Sequence, residues 1–98
     1  MTYRDALHED QRLVILRTLA DMNGYQANDS VLQTVLGAFG HNISRELVQS
    51  HLAFLAEQAL VSIEVISGVQ VATLSARGQD VAAGRADAPG VKRPGAPR

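Results

Sequence analysis

The chain has 98 residues, of which 46% are apolar, and a formal net charge of −1. That length fits one domain with a modest core, and the absence of cysteine excludes disulfides, thiolate metal sites and cysteine nucleophiles. No apolar run approaches the roughly 18 residues of a membrane span, and the polar, acidic N-terminus is unlike a secretory signal. We therefore expect a soluble cytoplasmic protein with no membrane contact.

The charges divide unequally along the chain. Residues 1–84 carry five basic and nine acidic side chains, a net charge of −4, whereas residues 85–98 carry four basic and one acidic, a net charge of +3. Residues 85–98 also hold all three prolines and almost no large apolar side chain. The sequence thus predicts one domain at 1–84 and a disordered, basic, Pro/Gly-rich tail at 85–98. An acidic body is not the usual footprint of a strong nucleic-acid binder.

The first predicted helix spans Asp5 to Met22, because it is rich in helix formers and has acidic residues early, and Asn23-Gly24 ends it. Its broad apolar face consists of Leu13, Ile15, Leu16, Leu19, Ala20 and Met22. Leu7 and Val14 fall nearly opposite this face, seven residues apart. A second narrow apolar seam of this kind often meets another chain, so we expect a homodimer formed through Leu7 and Val14.

Two further helices are predicted after a short connector that can be extended. Asn28 or Asp29 can cap the second helix, because each side-chain oxygen can accept a free backbone N–H, and Gly40 ends it. Ser44 can cap a third helix that runs from Arg45 to Gln58. The link between the second and third helices is therefore short and contains glycine.

Two β-rich runs flank Ser67-Gly68, which predicts a hairpin with a two-residue loop that pairs Ile66 with Val69 and Glu64 with Val71. The face predicted to cover the core holds Val61, Ile63, Val65, Ala72 and Leu74. Neither strand carries Lys or Arg. Ile66 and Val69 lie on the other face near the tip, where they are candidates for contact with another protein chain.

The last predicted helix runs from Ala76 to Ala83 and is capped by Ser75. The order helix, helix, short turn, helix, hairpin, helix predicts a mainly α fold with a β-hairpin wing, that is, an α+β winged helix-turn-helix. Over about residues 5–84 the chain resembles the ArsR- and MarR-like regulators, through "LAEQALV" and the turn-like "LSARGQDVAAG". With "EDQRLVILRTLADMNGY" and "GVKRP", it most resembles small winged-helix proteins of Mu-like transposable phages. The resemblance implies a dimeric DNA-binding regulator.

A DNA reader of this fold presents polar side chains of the third helix to base edges. Arg45 and Gln49 are the candidate specificity residues, because Arg favours guanine and Gln favours adenine. Glu46 and Glu57 share their outward face, and Glu46 would lie near a phosphate. The candidate DNA-binding residues are Ser44, Arg45, Gln49, Ser50, Arg77, Lys92 and Arg93.

Catalytic and metal chemistry are not expected. The serines have no recognisable base-and-acid framework, and no glycine-rich phosphate loop follows a strand. Asp5, His8 and Glu9 are conceivable ligands, but acids and histidines on a helix are more often solvated, so we expect no metal and no cofactor. His51 falls on the inner side of the third helix, where a packed, hydrogen-bonded histidine is expected.

Two functions are consistent with these features. The first is a transcriptional regulator that binds double-stranded DNA. The second is a non-enzymatic adaptor that keeps the winged-helix fold and binds another phage protein in phage assembly or DNA packaging. The resemblance favours the first, whereas the acidic body and the uncharged hairpin favour the second.

Overall fold

The computed structural model describes residues 1–95 and has an α+β fold, as predicted. Its elements in chain order are α1 (Tyr3–Asp21), β1 (Gln26–Asn28), α2 (Asp29–Ala38), α3 (Arg45–Glu57), β2 (Val61–Ile66), β3 (Val69–Leu74) and α4 (Ala76–Ala82). A 3₁₀ turn at Asn23–Tyr25 joins α1 to β1. None of the helices in this part of the chain is both long and apolar enough to cross a membrane.

Side-chain caps set the start of each of these four helices. Thr2 and Asp5 form a reciprocal capping box, so α1 begins two residues before the predicted start. Asn28, Ser44 and Ser75 each accept a backbone N–H from the first turn of α2, α3 and α4. A cap of this kind typically contributes about 1 kcal/mol. The three caps predicted from the sequence are therefore confirmed.

The sheet is antiparallel, with strand order β1-β3-β2. The predicted register of the hairpin is confirmed, since Ile66 pairs with Val69 and Glu64 with Val71. Ser67 and Gly68 both have positive φ, which fits a two-residue hairpin turn. The connector after α1 was expected to be extended, and its Gln26–Asn28 segment forms β1, which pairs with the far half of β3.

The core lies between the helices and one face of the sheet. Its fully buried residues from α1 are Ile15, Leu16 and Leu19, from the face predicted to be apolar. The other large side chains with almost no exposure are Leu32, Leu36, Val48, Leu52, Leu55, Leu60 and Val81. Each buried aliphatic side chain contributes roughly 1.5–3 kcal/mol, so leucines and valines supply the interior that the scarce aromatics cannot.

Residues 85–95 pack against the domain, which differs from the disordered tail predicted from composition. Val91 is buried, and the Lys92 N–H donates to the Glu9 carbonyl at 3.1 Å. The Arg12 guanidinium donates to the Gly90 carbonyl at 2.9 Å and lies 3.8 Å above the centre of the Phe54 ring. Proline and glycine content cannot predict this packing, because the partners lie on α1 and α3. The rest of the predicted tail, 96–98, falls outside the described residues.

Candidate functional site

The outward face of α3 was predicted to carry the base-reading side chains, but two of them are bound within the protein. Arg45 Nη2 donates to Asp29 Oδ1 at 3.0 Å, and Gln49 Nε2 donates to Asp29 Oδ2 at 2.8 Å. The Ser30 N–H donates to Asp29 Oδ1 at 2.9 Å. Arg45 and Gln49 therefore join α3 to the first turn of α2, although the Arg45 side chain is still 44% exposed.

Asp29 is the centre of this cluster, and its side chain is fully buried. Burial alone would raise the pKa of the carboxyl, but the hydrogen bonds from Arg45 and Gln49 outweigh burial and lower it below its ordinary value of 3.8. The carboxylate is also in the first turn of α2, where the helix dipole favours a negative charge. Asp29 is therefore ionised, and Arg45 and Gln49 of α3 stabilise its buried negative charge.

The rest of the outward face of α3 is exposed and carries more acid than base. Its exposed side chains include Glu46, Ser50 and Glu57. Ser44 accepts the Leu47 N–H as the cap of α3, so its hydroxyl oxygen already has a local partner. Of the four residues predicted at this helix, Ser50 is the one that the structure leaves exposed and outside both the cap and the Asp29 cluster.

The three basic residues predicted elsewhere also have protein partners. The Arg77 side chain donates to the Gln58 carbonyl at 3.2 Å. Lys92 Nζ lies 3.5 Å from Asp10, and Arg93 forms an ion pair with Asp87. The ion pairs of Lys92 and Arg93 are exposed and weak, but each one places an acid beside a predicted phosphate contact.

The tip of the β2–β3 hairpin is apolar and exposed. Val65 is 65% exposed and Ile66 51% exposed, whereas Val69 is half-buried. Val65 lies on the face that was predicted to cover the core, but its expected burial is wrong, because the hairpin extends past the core at its tip. Both faces of the tip therefore present aliphatic side chains.

The two residues predicted to form a dimer interface, Leu7 and Val14, are both half-buried. Val14 lines a groove of about 360 Å³ between α1 and α2, together with Val35 and Phe39. Phe39 is 68% exposed at this groove. The groove is open, and its lining combines these apolar side chains with Asp10, Arg17, Thr18 and Asp21. The homodimer through α1 stays a prediction.

A hydrogen-bonded chain of buried and half-buried side chains joins α1 to α3. Arg12 Nε donates to His51 Nδ1 at 3.1 Å, and His51 Nε2 lies 2.8 Å from Gln11 Oε1. The chain continues from Gln11 to His41, whose Nε2 lies 2.7 Å from Asp10. These contacts fit imidazoles that are protonated on Nε2 in both histidines. The prediction that His51 is packed and hydrogen-bonded is confirmed.

Burial and the adjacent Arg12 guanidinium lower the pKa of His51 from 6.5 to about 4, so this imidazole is neutral near pH 7. Burial also lowers the pKa of Arg12. Asp5 and His8, which were weighed as metal ligands, have structural partners: Asp5 is in the cap of α1, and His8 packs edge-on against the His51 ring with 5.2 Å between centroids.

Sequence reasoning missed Asp29, Gln11 and Arg12 as interacting residues. Asp29 was predicted only as an alternative to Asn28 for the cap of α2, and no local signal indicated that its side chain would be buried against α3. Gln11 falls beside the apolar face of α1, which is a weak sign of burial. Arg12 gave no local signal, because its partners Phe54 and Gly90 are distant in sequence.

The geometry describes a small α+β protein, and comparison with known proteins places it among phage-related proteins. The chain belongs to the family of gp26 of Escherichia phage Mu, an uncharacterized protein: the two are 57% identical over 90 residues, which is 92% of this chain and 93% of gp26. An uncharacterized protein of Haemophilus influenzae Rd is 44% identical over 78 residues, 79% of this chain and 76% of that protein. No protein-family model matches the chain.

Proposed function

We propose that this chain is a winged-helix protein that serves as a non-enzymatic adaptor, binding another phage protein in phage assembly or DNA packaging. The order of α1, β1, α2, α3, the hairpin and α4, with sheet order β1-β3-β2, supports the winged-helix assignment. In this assignment α3 takes the position of the recognition helix, and the β2–β3 hairpin is the wing.

The observation that carries the adaptor proposal is the bonding of Arg45 and Gln49 to buried Asp29. To read guanine, Arg45 would have to leave this carboxylate. Removing one partner of a buried ion pair costs roughly 3–5 kcal/mol, but Arg45 is 44% exposed and Gln49 and Ser30 keep their bonds to Asp29, so its release costs less, about 1–3 kcal/mol. A good bidentate base contact contributes about 1–3 kcal/mol of discrimination. The two terms are of similar size, so base reading by Arg45 would gain little net free energy.

The wing supports the same proposal. A wing that grips phosphate needs Lys or Arg, and residues 61–74 contain neither. Its tip instead exposes Val65 and Ile66. Of the eight basic side chains in residues 1–95, four form ion pairs with acids of the same chain, and these pairs would have to open before the four side chains could release counterions from DNA.

DNA binding by α3 is the second candidate function. The exposed N-terminal turns of α3 favour it, since the Arg45 side chain is still 44% exposed and Ser50 is solvent-facing. If α3 enters a major groove, Arg45→Ala should cost roughly 1–3 kcal/mol at the preferred site. Glu46→Ala should strengthen binding to almost any duplex, because it removes repulsion from phosphate.

A fluorescence-anisotropy titration of the intact chain tests the proposal against this second candidate. Fragments of the phage genome and random duplexes are compared at matched, near-physiological salt. The adaptor proposal predicts that no fragment binds more tightly than the random duplexes, and that Arg45→Ala and Glu46→Ala do not create such a preference. A preferred fragment whose affinity falls with Arg45→Ala would establish base reading and contradict the adaptor proposal.

A further inference from the structure

The outer edge of β2 is unpaired. The strand order β1-β3-β2 places β2 at the end of the sheet, and its six residues Val61–Ile66 pair with β3 alone. Across residues 1–95, no backbone hydrogen bond from another element reaches these six residues. Alternate N–H and C=O groups of an antiparallel strand point away from its partner. The edge therefore offers a row of unpaired donors and acceptors to an additional strand.

Apart from the charge of Glu64, this edge lacks the features that usually prevent such pairing. Edge strands are commonly protected by proline, by lysine, by short length or by a bulge. β2 contains no proline, lysine or arginine. Its register with β3 runs without interruption from Val61 opposite Leu74 to Ile66 opposite Val69, so there is no bulge. At its end, Val65 and Ile66 are both more than half exposed.

The side chains along this edge indicate which residues a partner strand would need. Ser62, Glu64 and Ile66 alternate on the outer face of the sheet, where they line a shallow depression of about 320 Å³ with Val71 and Thr73. Glu64 is exposed and forms no ion pair with another described residue. A strand added beside β2 would bring side chains of the same face to about 4.5–5.5 Å from these residues. The matching strand carries a basic residue beside Glu64 and an apolar residue beside Ile66.

We propose that the outer edge of β2 binds an extended segment of a partner protein as a fourth strand of the sheet. The segment carries Lys or Arg two residues from an apolar residue, so that both side chains fall on the face of Glu64 and Ile66. The proposal rests on the adaptor function and names the partner chemistry that this function requires.

Two segments of the same chain fit this edge less well. A second copy pairing through its own β2 would bring two Glu64 carboxylates to the same small sheet face, where no cation compensates them. The basic segment at Lys92 and Arg93 is bound to its own domain through the Lys92 N–H and two ion pairs. The occupant is therefore a different protein.

The test uses the full ¹⁵N-labelled chain and two synthetic hexapeptides, Thr-Thr-Arg-Thr-Ile-Thr and the same peptide with Glu in place of Arg. Backbone amide shifts are followed by NMR during titration to millimolar peptide. We expect shifts concentrated at residues 61–66 and about three- to tenfold tighter binding of the Arg peptide, since opposite charges stabilise a cross-strand pair and like charges destabilise it. Glu64→Lys should reverse the preference, whereas the control Glu57→Lys on α3 should leave it unchanged.

Three outcomes would overturn the proposal. These are equal affinity for both peptides, shifts that lie away from β2, and no shifts with either peptide. Broadening of the β2 amides that grows with protein concentration in the absence of peptide would assign the edge to a second copy and would also overturn it. If the wing nevertheless cross-links to a partner protein, the adaptor function survives and only this mode of binding fails.

Discussion

The buried Asp29 carboxylate binds two side chains from the N-terminal half of α3. A carboxylate with no exposed surface needs both charge and hydrogen bonds to remain ionised, and Arg45 and Gln49 supply them across the boundary between α2 and α3. The sequence indicated correctly that Arg45 and Gln49 share a face of α3. It could not indicate that this face meets Asp29, because that contact depends on how the two helices pack.

Replacing Arg45 by Ala should destabilise the fold. The buried Asp29 would keep only Gln49 and the Ser30 N–H. Because the Arg45 side chain is partly exposed, we expect a loss of about 1–3 kcal/mol in the free energy of unfolding, below the full value for a buried pair. Urea unfolding measures the loss. The control Arg4→Ala, on an exposed position of α1, should change stability by less than about 0.5 kcal/mol, and equal losses in both variants would refute the role of Asp29.

His51 should make stability depend on pH between about 6.5 and 4. Its pKa is about 4 in the fold and ordinary, 6.5, in the unfolded chain. Between these values the unfolded chain binds a proton that the folded chain does not, so the stabilisation is complete above 6.5 and declines as pH falls towards 4. The shift corresponds to at most about 3 kcal/mol.

His51→Gln tests this pH dependence. Urea unfolding at pH 7 and at pH 4.5 gives the loss of stability on acidification for the wild type and for the variant. The variant should be less stable than the wild type at pH 7. It should lose less stability on acidification, because the titrating imidazole is gone. The same pH dependence in both proteins would show that His51 does not titrate as its burial implies.

Local sequence signals were sufficient to predict a helix or strand wherever its own residues determine where it begins or how it pairs. Asn28, Ser44 and Ser75 mark helix starts because a cap bonds within its own first turn, and the loop at Ser67-Gly68 fixes the register of β2 and β3. The pairing of β1 with β3 and the docking of residues 85–95 were not predictable. Both depend on partners far away in the chain.

Gly90→Ala should release the docked segment. An added Cβ would lie 2.4 Å from the Phe54 ring, and φ at this position is +78°. Overpacking and backbone strain together should cost about 1–3 kcal/mol. We expect heteronuclear NOE values for residues 86–92 to fall while those of α1 and α3 are kept. The matched control is Gly95→Ala, where nothing lies within 4 Å, and a docked segment in Gly90→Ala would contradict this account.

Half of the basic side chains in residues 1–95 form ion pairs, and the exposed apolar surface includes two separate patches. One is the wing tip with Val65 and Ile66, and the other is the groove between α1 and α2 with Val14 and Phe39. The sequence predicted Val14 and Ile66 as contacts, because exposed apolar residues stand out against a polar pattern. It could not show that Phe39 joins Val14, since the two lie on different helices.

We expect α1 to form the homodimer through Leu7 and Val14. Sedimentation equilibrium should report a dimer for the wild type and a monomer for the double variant Leu7→Glu and Val14→Glu, because two carboxylates would have to lose their hydration at the interface. The exposed Thr34→Glu on α2 serves as a charge control and should stay dimeric. A wild type that is monomeric at high concentration would exclude this interface.

We propose that the tip of the β2–β3 hairpin binds a protein and that α3 does not bind DNA. Site-specific photo-crosslinking tests it most directly, with a photoreactive amino acid placed at Ile66 in one variant and at Ser50 in another, in cells that carry the phage genes accompanying the chain. We predict that Ile66 yields one discrete protein adduct, resistant to nuclease, and that Ser50 yields no nucleic-acid adduct. A nuclease-sensitive adduct from Ser50, with no protein adduct from Ile66, would contradict the account and establish α3 as a DNA-binding helix.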